Sequence, residues 1–387
     1  MKNDDSKDSR HALAHTGARA GVSSLKYRPD LSAIRFPLMV FVITAHNSTS
    51  WSFGFWLVLT GWFSISGYLI TLGFLTEKEK AGKISIRDFY IRRVFRLLPS
   101  LYFACSATLI YGWLTHKPNF IFNYLYSVLA AVFYYSDIWS VVTSGHGYGV
   151  VSQLWSLSIE EQFYLLWAPL VVIILYKKNK VFLLWTAIGI TLFVCIYRVV
   201  LFELTHSPQR IYYAFDTRLD AIMIGCIVAV LASRGYFDSN IPRWYAKSAA
   251  KLAMLGLIGF VVLLFTVPGG SVFGSTYALS LTDVCWILIL PYLVMTPDSR
   301  LAKRLNNRVL VHLGNITYDV YLWEWIVIVV IMPSFHLNNN FARFAVLVGV
   351  SLALSEMTYW SFEVPIKKLR KYRYTVKEMR GLTVYAP

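Results

Sequence analysis

Charge is scarce in this chain of 387 residues: 15% are Asp, Glu, Lys or Arg, while 56% are hydrophobic. A soluble domain carries about 25% charge, so composition excludes an ordinary water-soluble enzyme. Acidic residues are scarcer than basic ones, 21 against 37, giving a net charge of +16. No nucleic-acid motif accompanies that excess. Cysteine is rare too. Cys105, Cys195, Cys226 and Cys285 all lie inside apolar runs, which excludes a disulfide framework and shows no metal-ligand spacing, so no metal is expected. The first 26 residues lack the apolar core of a signal peptide and are expected to form a disordered cytoplasmic tail. There is no transporter-like internal repeat, and no polar stretch long enough for a second soluble domain.

What the sequence has instead is apolar runs near the length of a bilayer. They fall near 36–51, 55–75, 97–114, 121–142, 157–176, 181–202, 216–233, 250–267, 277–295, 310–332 and 342–362. Lys and Arg cluster in alternate connections, as between Glu77 and Arg96, at Lys177–Lys180 and from Arg300 to Arg308. By the positive-inside rule these connections are cytoplasmic, and the Lys/Arg-poor ones external. Only run 121–142 breaks the alternation. Rich in Tyr and Trp, it reads as a re-entrant or interfacial segment on the outer side. The expected fold is an all-α integral membrane domain over 27–370. It has about ten transmembrane helices, both termini cytoplasmic and a C-terminal tail at 371–387. Anionic lipid head groups and phosphate-bearing cofactors are the partners that suit the basic clusters, not nucleic acid.

Ionisable groups within such runs are costly and mark candidate sites. Arg35 and His46 are 11 residues apart on the first helix. That spacing puts them on one face, roughly 16 Å apart along the axis. A cofactor with phosphates at the cytoplasmic edge and a reactive end reaching upward fits this pair, with His46 as general base. A snorkelling arginine and a core histidine would give the same pattern. Arg93 and Arg96 share a helical face just before Pro99, where guanidinium forks suit phosphate as well as topology. In FSISGYLI, Ser64, Ser66 and Gly67 are small residues that let a helix or a ligand approach.

WSLSIEEQFYLLW is the densest segment. Its adjacent Glu160 and Glu161, read at the outer start of a span, could share a proton, orient the histidine or hold an acceptor hydroxyl, with Trp155 and Trp167 nearby. A solvated helix N-terminus is the plainer alternative. FDTRLD brings Asp216, Arg218 and Asp220 to another outer mouth, as substrate contacts or as an internal salt-bridge network. Glu324 and Glu356 lie within later spans and demand partners. Aromatic side chains of the outer connections, Trp51, Trp56, Tyr148, Tyr212 and Tyr213, suit a sugar or form an ordinary aromatic belt.

Taken in order, these segments resemble the acyltransferase 3 family of bacterial membrane O-acyltransferases. Arg35 and His46 match its Arg-x10-His pattern. WFSISGYLI, RRVFRLLP, WSLSIEEQFYLLW, RLDAIMIGCIVA, LGNITYDVYLWEW and WSFEVPIKK are similar to its later motifs. The resemblance implies an inner-membrane enzyme that moves an acyl group, acetyl by expectation, from cytoplasmic acyl-CoA to a saccharide or lipid-linked saccharide. It implies no permanently bound cofactor. His46 would be the catalytic histidine, with Arg35 its partner on the donor path. Arg93 and Arg96, with Ser66, would line the acyl-CoA site, and Glu160 and Glu161 would lie near the reaction centre. Trp155, Tyr164, Asp216, Arg218, Asp220 and Glu324 are the candidate substrate contacts. Glu324 departs from the family, which often has His there. Many relatives carry a C-terminal esterase-like domain. This sequence ends before one and is expected to act alone. The alternative function is a proton-coupled sugar or lipid transporter or flippase, using His46, Glu324 and Glu356 as coupling groups.

Overall fold

With no water in a bilayer core, a crossing segment has to meet its own backbone hydrogen bonds, and helix is the solution for a single chain segment. The computed structural model describes residues 28–47, 53–143, 149–237, 242–335, 337 and 339–369. Among them there is helix and no strand. The tails at 1–26 and 371–387, and Trp51 and Tyr148, lie outside the described residues. Ten helices carry the architecture: α1 (Arg35–His46), α2 (Val58–Ala81), α3 (Ile86–Leu114), α4 (Trp155–Lys177), α5 (Lys180–Thr205), α6 (Leu219–Ser233), α7 (Arg243–Thr266), α8 (Leu279–Met295), α9 (Arg308–Ile326) and α10 (Asn340–Thr358). Among the described residues, eight helical stretches are long and apolar enough to cross a membrane. The helices α1 and α6, with 12 and 15 residues, are shorter than a straight crossing of about 20.

Local sequence sets the ends. Gly82 closes α2 in the left-handed conformation, with φ of 69°. Ser85 caps α3 by accepting from the Asp88 amide, and Asn179 caps α5 through the Phe182 amide. Run 121–142 breaks into a π-helical turn Ile121–Tyr126 and short helices Ser127–Val132 and Ser136–Val142, none long enough to cross.

Helix α2 is the central element: 78% of its most apolar stretch is buried inside the protein, against 22% for α5 and for α10. Small residues make that position possible. A Cβ on Gly225 of α6 would sit 1.8 Å from the Ser64 carbonyl oxygen, and one on Gly67 would sit 2.1 Å from that of Ile222. Helices α2 and α6 therefore touch backbone to backbone. The Ser64 hydroxyl also donates to the Ala221 carbonyl at 2.9 Å. Peripheral helices turn Trp185, Phe193, Leu204 and Ile258 outward, as a lipid-facing surface requires.

The helix ends gather into two groups. At the end predicted cytoplasmic, Lys180 holds Glu79 and the Ser233 carbonyl, joining α5, α2 and α6. Arg28 pairs with Asp30 and donates to the Leu293 and Val294 carbonyls at the close of α8. At the opposite end the Gly54 amide reaches the Leu264 carbonyl of α7, and the Tyr212 hydroxyl reaches the Trp56 carbonyl.

Candidate active site

Two cavities open within this frame, one toward each group of helix ends. The basic-end cavity, of about 480 Å³, is lined by Arg35, Ser66, Arg93, Arg96, Glu160 and Tyr164 among others. These residues come from α1, α2, α3 and α4. Arg93 is held firmly. Its Nη2 donates to Glu161 Oε1 at 2.7 Å, and its guanidinium lies 3.6 Å above the Tyr164 ring. Arg35 sits 5.9 Å from the Trp62 ring, and its buried Nε has no hydrogen-bond partner among the described residues. Ser66 lies beside Glu160, whose buried Oε1 also lacks a partner. Arg96 is exposed at the mouth. Fixed cations with unmet polar atoms suit a phosphate-bearing ligand.

The opposite cavity, of about 540 Å³, is walled by rings: Trp56, Trp155, Tyr212, Tyr213, Tyr321 and Trp325. Among the described residues no Lys or Arg lines it. His46 enters from the last turn of α1. Its Nδ1 meets Glu324 Oε1 at 2.7 Å, and its ring stands edge-on to Trp325 at 4.9 Å between centroids. Glu324 is wholly buried, whereas the His46 side chain is 25% exposed. With Nδ1 engaged, Nε2 is the nitrogen able to exchange a proton with the cavity.

Both cavities draw on the same helices, α1, α2, α4 and α9. On α2, Leu59 lines the aromatic cavity, and Trp62, Ser66 and Leu69 the basic one. On α4, Trp155 gives way to Leu157, Glu160 and Tyr164. On α9, Trp325 and Tyr321 give way to Tyr318 and Asn315. Arg35 and His46 end the matching track on α1. Spacings of three and four residues keep the α2 and α9 sets each on one helical face, whereas on α4 Trp155 stands apart from the face of Leu157, Glu160 and Tyr164.

A family model described as an acyltransferase domain matches residues 28–360. The chain belongs to this family, acyltransferase 3. Among curated proteins it is similar to the peptidoglycan O-acetyltransferase OatA of Listeria monocytogenes, 31% identical over 355 residues. That alignment covers 89% of this chain and 56% of the relative. It is also similar to the O-acetyltransferase OatA of Staphylococcus aureus, 29% identical over 358 residues, covering 89% and 58%. The chain thus spans little more than half the length of these relatives. No solved structure matches.

Several positions in this acyltransferase 3 chain differ from expectation. Glu160 and Glu161 are not at the aromatic mouth beside His46. They lie one to two turns into α4, on the basic-end side, and Glu161 is spent on Arg93. Glu324 takes the orienting position instead. Tyr164 lies under Arg93 in the basic-end cavity and not among the acceptor-side aromatics. Asp216, Arg218 and Asp220 line neither cavity. Asp220 pairs with Arg198 at 2.5 Å, both fully buried, and Arg218 is buried 5.3 Å from the Tyr212 ring. Asp216 holds Arg210 and the Tyr197 hydroxyl. The Arg198 network was missed, although an arginine inside run 181–202 was signal enough. Cys195, Asp220 and Asp283 bring ligand-type atoms within 4.8 Å of one another, but Arg198 already supplies a cation there. Glu356, the other carboxylate noted within a span, is partly exposed and pairs with His312 at 2.6 Å.

Proposed function

We propose that this protein transfers an acetyl group from cytoplasmic acetyl-CoA to a carbohydrate hydroxyl on the outer side of a bacterial inner membrane. The supporting observation is the shared track. Arg35 stands in a cationic cavity, His46 stands in an aromatic one, and a single face of α1 joins them. Arg93, Arg96 and Arg35 would take the phosphates of the donor, so that its thioester points along α1 toward His46. The names of the relatives, O-acetyltransferases, support acetyl as the group moved and a cell-wall saccharide as the acceptor class.

In this reading His46 Nε2 removes the acceptor hydroxyl proton while Glu324 holds the ring and stabilises the imidazolium. The oxygen attacks the thioester carbonyl, the C–S bond breaks, and the CoA thiolate leaves and is protonated. The balance is one ester and one thiol from one thioester and one alcohol. Nε2 taking the acyl group first, as an acyl-imidazole relay, uses the same nitrogen and the same partner. Trp155, Trp56, Tyr212 and Tyr213 would offer ring faces to the sugar.

The test supplies radiolabelled acetyl-CoA to membranes containing the protein. Label in the glycan fraction, lost in His46→Ala with membrane insertion intact, is expected. Movement of unmodified sugar without label would replace this reading with the transporter.

A further inference from the structure

The two cavities are separated by very little. On α2 their linings pass from Leu59 to Trp62, on α9 from Tyr321 to Tyr318, and on α4 from Trp155 to Leu157. Two or three helical residues rise only about 3–5 Å, so on these three helices the dividing layer is no more than one turn thick, while on α1 the linings stand about two turns apart, from Arg35 to Val42. On α1, buried Leu38 and Met39 fill the same level. A layer this thin is closed by individual side chains.

One side chain at that level is fastened more firmly than packing requires. The Tyr321 hydroxyl lies 2.7 Å from Ser156 Oγ and donates to the Gln153 carbonyl oxygen. The Gln153 amide in turn donates to the Leu322 carbonyl at 3.3 Å. These bonds bridge the first turn of α4 to the middle of α9 across the layer. Tyr321 and Ser156 are 8% and 5% exposed, so a lost bond there would leave polar atoms buried and unmet. Tyr321 lines the aromatic cavity, one turn from Tyr318 on the wall of the other.

Resting on the acyl-transfer reading above, we propose that Tyr321, latched to Ser156 and Gln153, is the specificity-determining residue of the reaction. Its ring closes the layer between donor and acceptor cavities and admits only a short acyl group. A thioester arriving from the basic end has to present its carbonyl at this layer to come within reach of His46. An acetyl group adds one methyl beyond that carbonyl. A longer chain would have to displace the ring or fill the cavity the acceptor needs. The same closure keeps outer water from the thioester, where hydrolysis would give free acid and CoA thiol in place of ester.

The experiment uses membrane vesicles containing the full chain and labelled acetyl-, butyryl- and hexanoyl-CoA, with vesicles lacking the protein as baseline. Label in the glycan fraction reports transfer, and thiol release without glycan label reports hydrolysis. Tyr321→Ala should raise the hexanoyl-to-acetyl transfer ratio by about tenfold or more, the scale on which pocket methylenes discriminate. Tyr321→Phe keeps the packing and loses both bonds of the latch, and Ser156→Ala loses one of the two. Each should raise hydrolysis relative to transfer several-fold and move the chain-length ratio the same way by less. A role confined to folding would lower transfer from all three donors in proportion. Unchanged ratios in Tyr321→Phe and Ser156→Ala would overturn the proposal even if Tyr321→Ala failed to accumulate. Wild-type vesicles that label no glycan from any donor would overturn the parent reading instead.

Discussion

The basic-end cavity and the aromatic cavity lie on the same helices yet recognise by different physics. One presents Arg35, Arg93 and Arg96, with Glu161 and the Tyr164 ring holding Arg93 in place. The other presents rings and His46, whose Nδ1 is held by Glu324 behind it. Charge recognition works close to head groups and water, where guanidinium forks select phosphate. Among rings an unpaired charge would be costly, so shape and stacking are the means of selection there, and His46 is held by a buried carboxylate. On the proposed reading the contrast would divide the labour: affinity for the donor at one end, proton transfer and acceptor fit at the other.

The sharpest way to break the comparison is to remove chemistry without touching the basic end. His46→Ala should lower kcat by about 10³-fold or more, and Glu324→Gln by about 10²-fold, within the range of general acid–base contributions. Donor KM should stay within about twofold in both, because neither residue lines the basic-end cavity. Steady-state kinetics at varied acetyl-CoA gives the answer. A Glu324→Gln protein that kept full kcat would show that His46 needs no orienting carboxylate.

A crossed pair of substitutions probes the division from both sides. Arg93→Ala removes a cation whose hydrogen bonds to a charged ligand are worth about 1.5–3 kcal/mol. Donor KM should rise about tenfold to a hundredfold, with acceptor KM little changed. Trp155→Ala, in contact with Tyr212 at 4.7 Å between ring centroids, should do the reverse, raising acceptor KM about tenfold at most. Equal shifts in both constants for either protein would mean the cavities act as one site.

How much of this could be read in the sequence follows from the range of each interaction. The long helices were legible because bilayer thickness is written directly into run length. Arg35, Ser66, Arg93 and Arg96 were legible as a group, and they do line one cavity. The partner of His46 was not, since Glu324 lies 278 residues away and nothing local signals that α1 packs on α9. The depth of Glu160 was misjudged for a related reason. The carboxylates follow a polar connection, but α4 enters the protein at Trp155, so its first turn is already buried. In FSISG the residues divide by helix face: Ser64 and Gly67 serve the α6 contact, and Ser66 faces the cavity.

The smallest effect tests whether the aromatic cavity depends on its outer scaffold. The short helix Pro208–Tyr213 carries Tyr212 and Tyr213 into that cavity, and Arg210 on it pairs with Asp216. Burial works to raise the Asp216 carboxyl, but the hydrogen bonds from Arg210 and Tyr197 outweigh it and hold the group below the usual carboxylate range. A carboxylate depressed in the folded state stabilises that state above its unfolded value, about 3.9, and loses the contribution as pH falls through the lower folded value. The pair is partly exposed, so Asp216→Asn should cost no more than about 1 kcal/mol at neutral pH. The cost should shrink in high salt, and the melting temperatures of the two proteins should converge as pH falls through the lowered folded value of Asp216. Acceptor KM should rise about twofold to fivefold in the variant, the equivalent of 1 kcal/mol or less, while donor KM stays fixed. A shift in donor KM would instead mean that this outer scaffold reaches through the Tyr321 layer to the basic-end cavity.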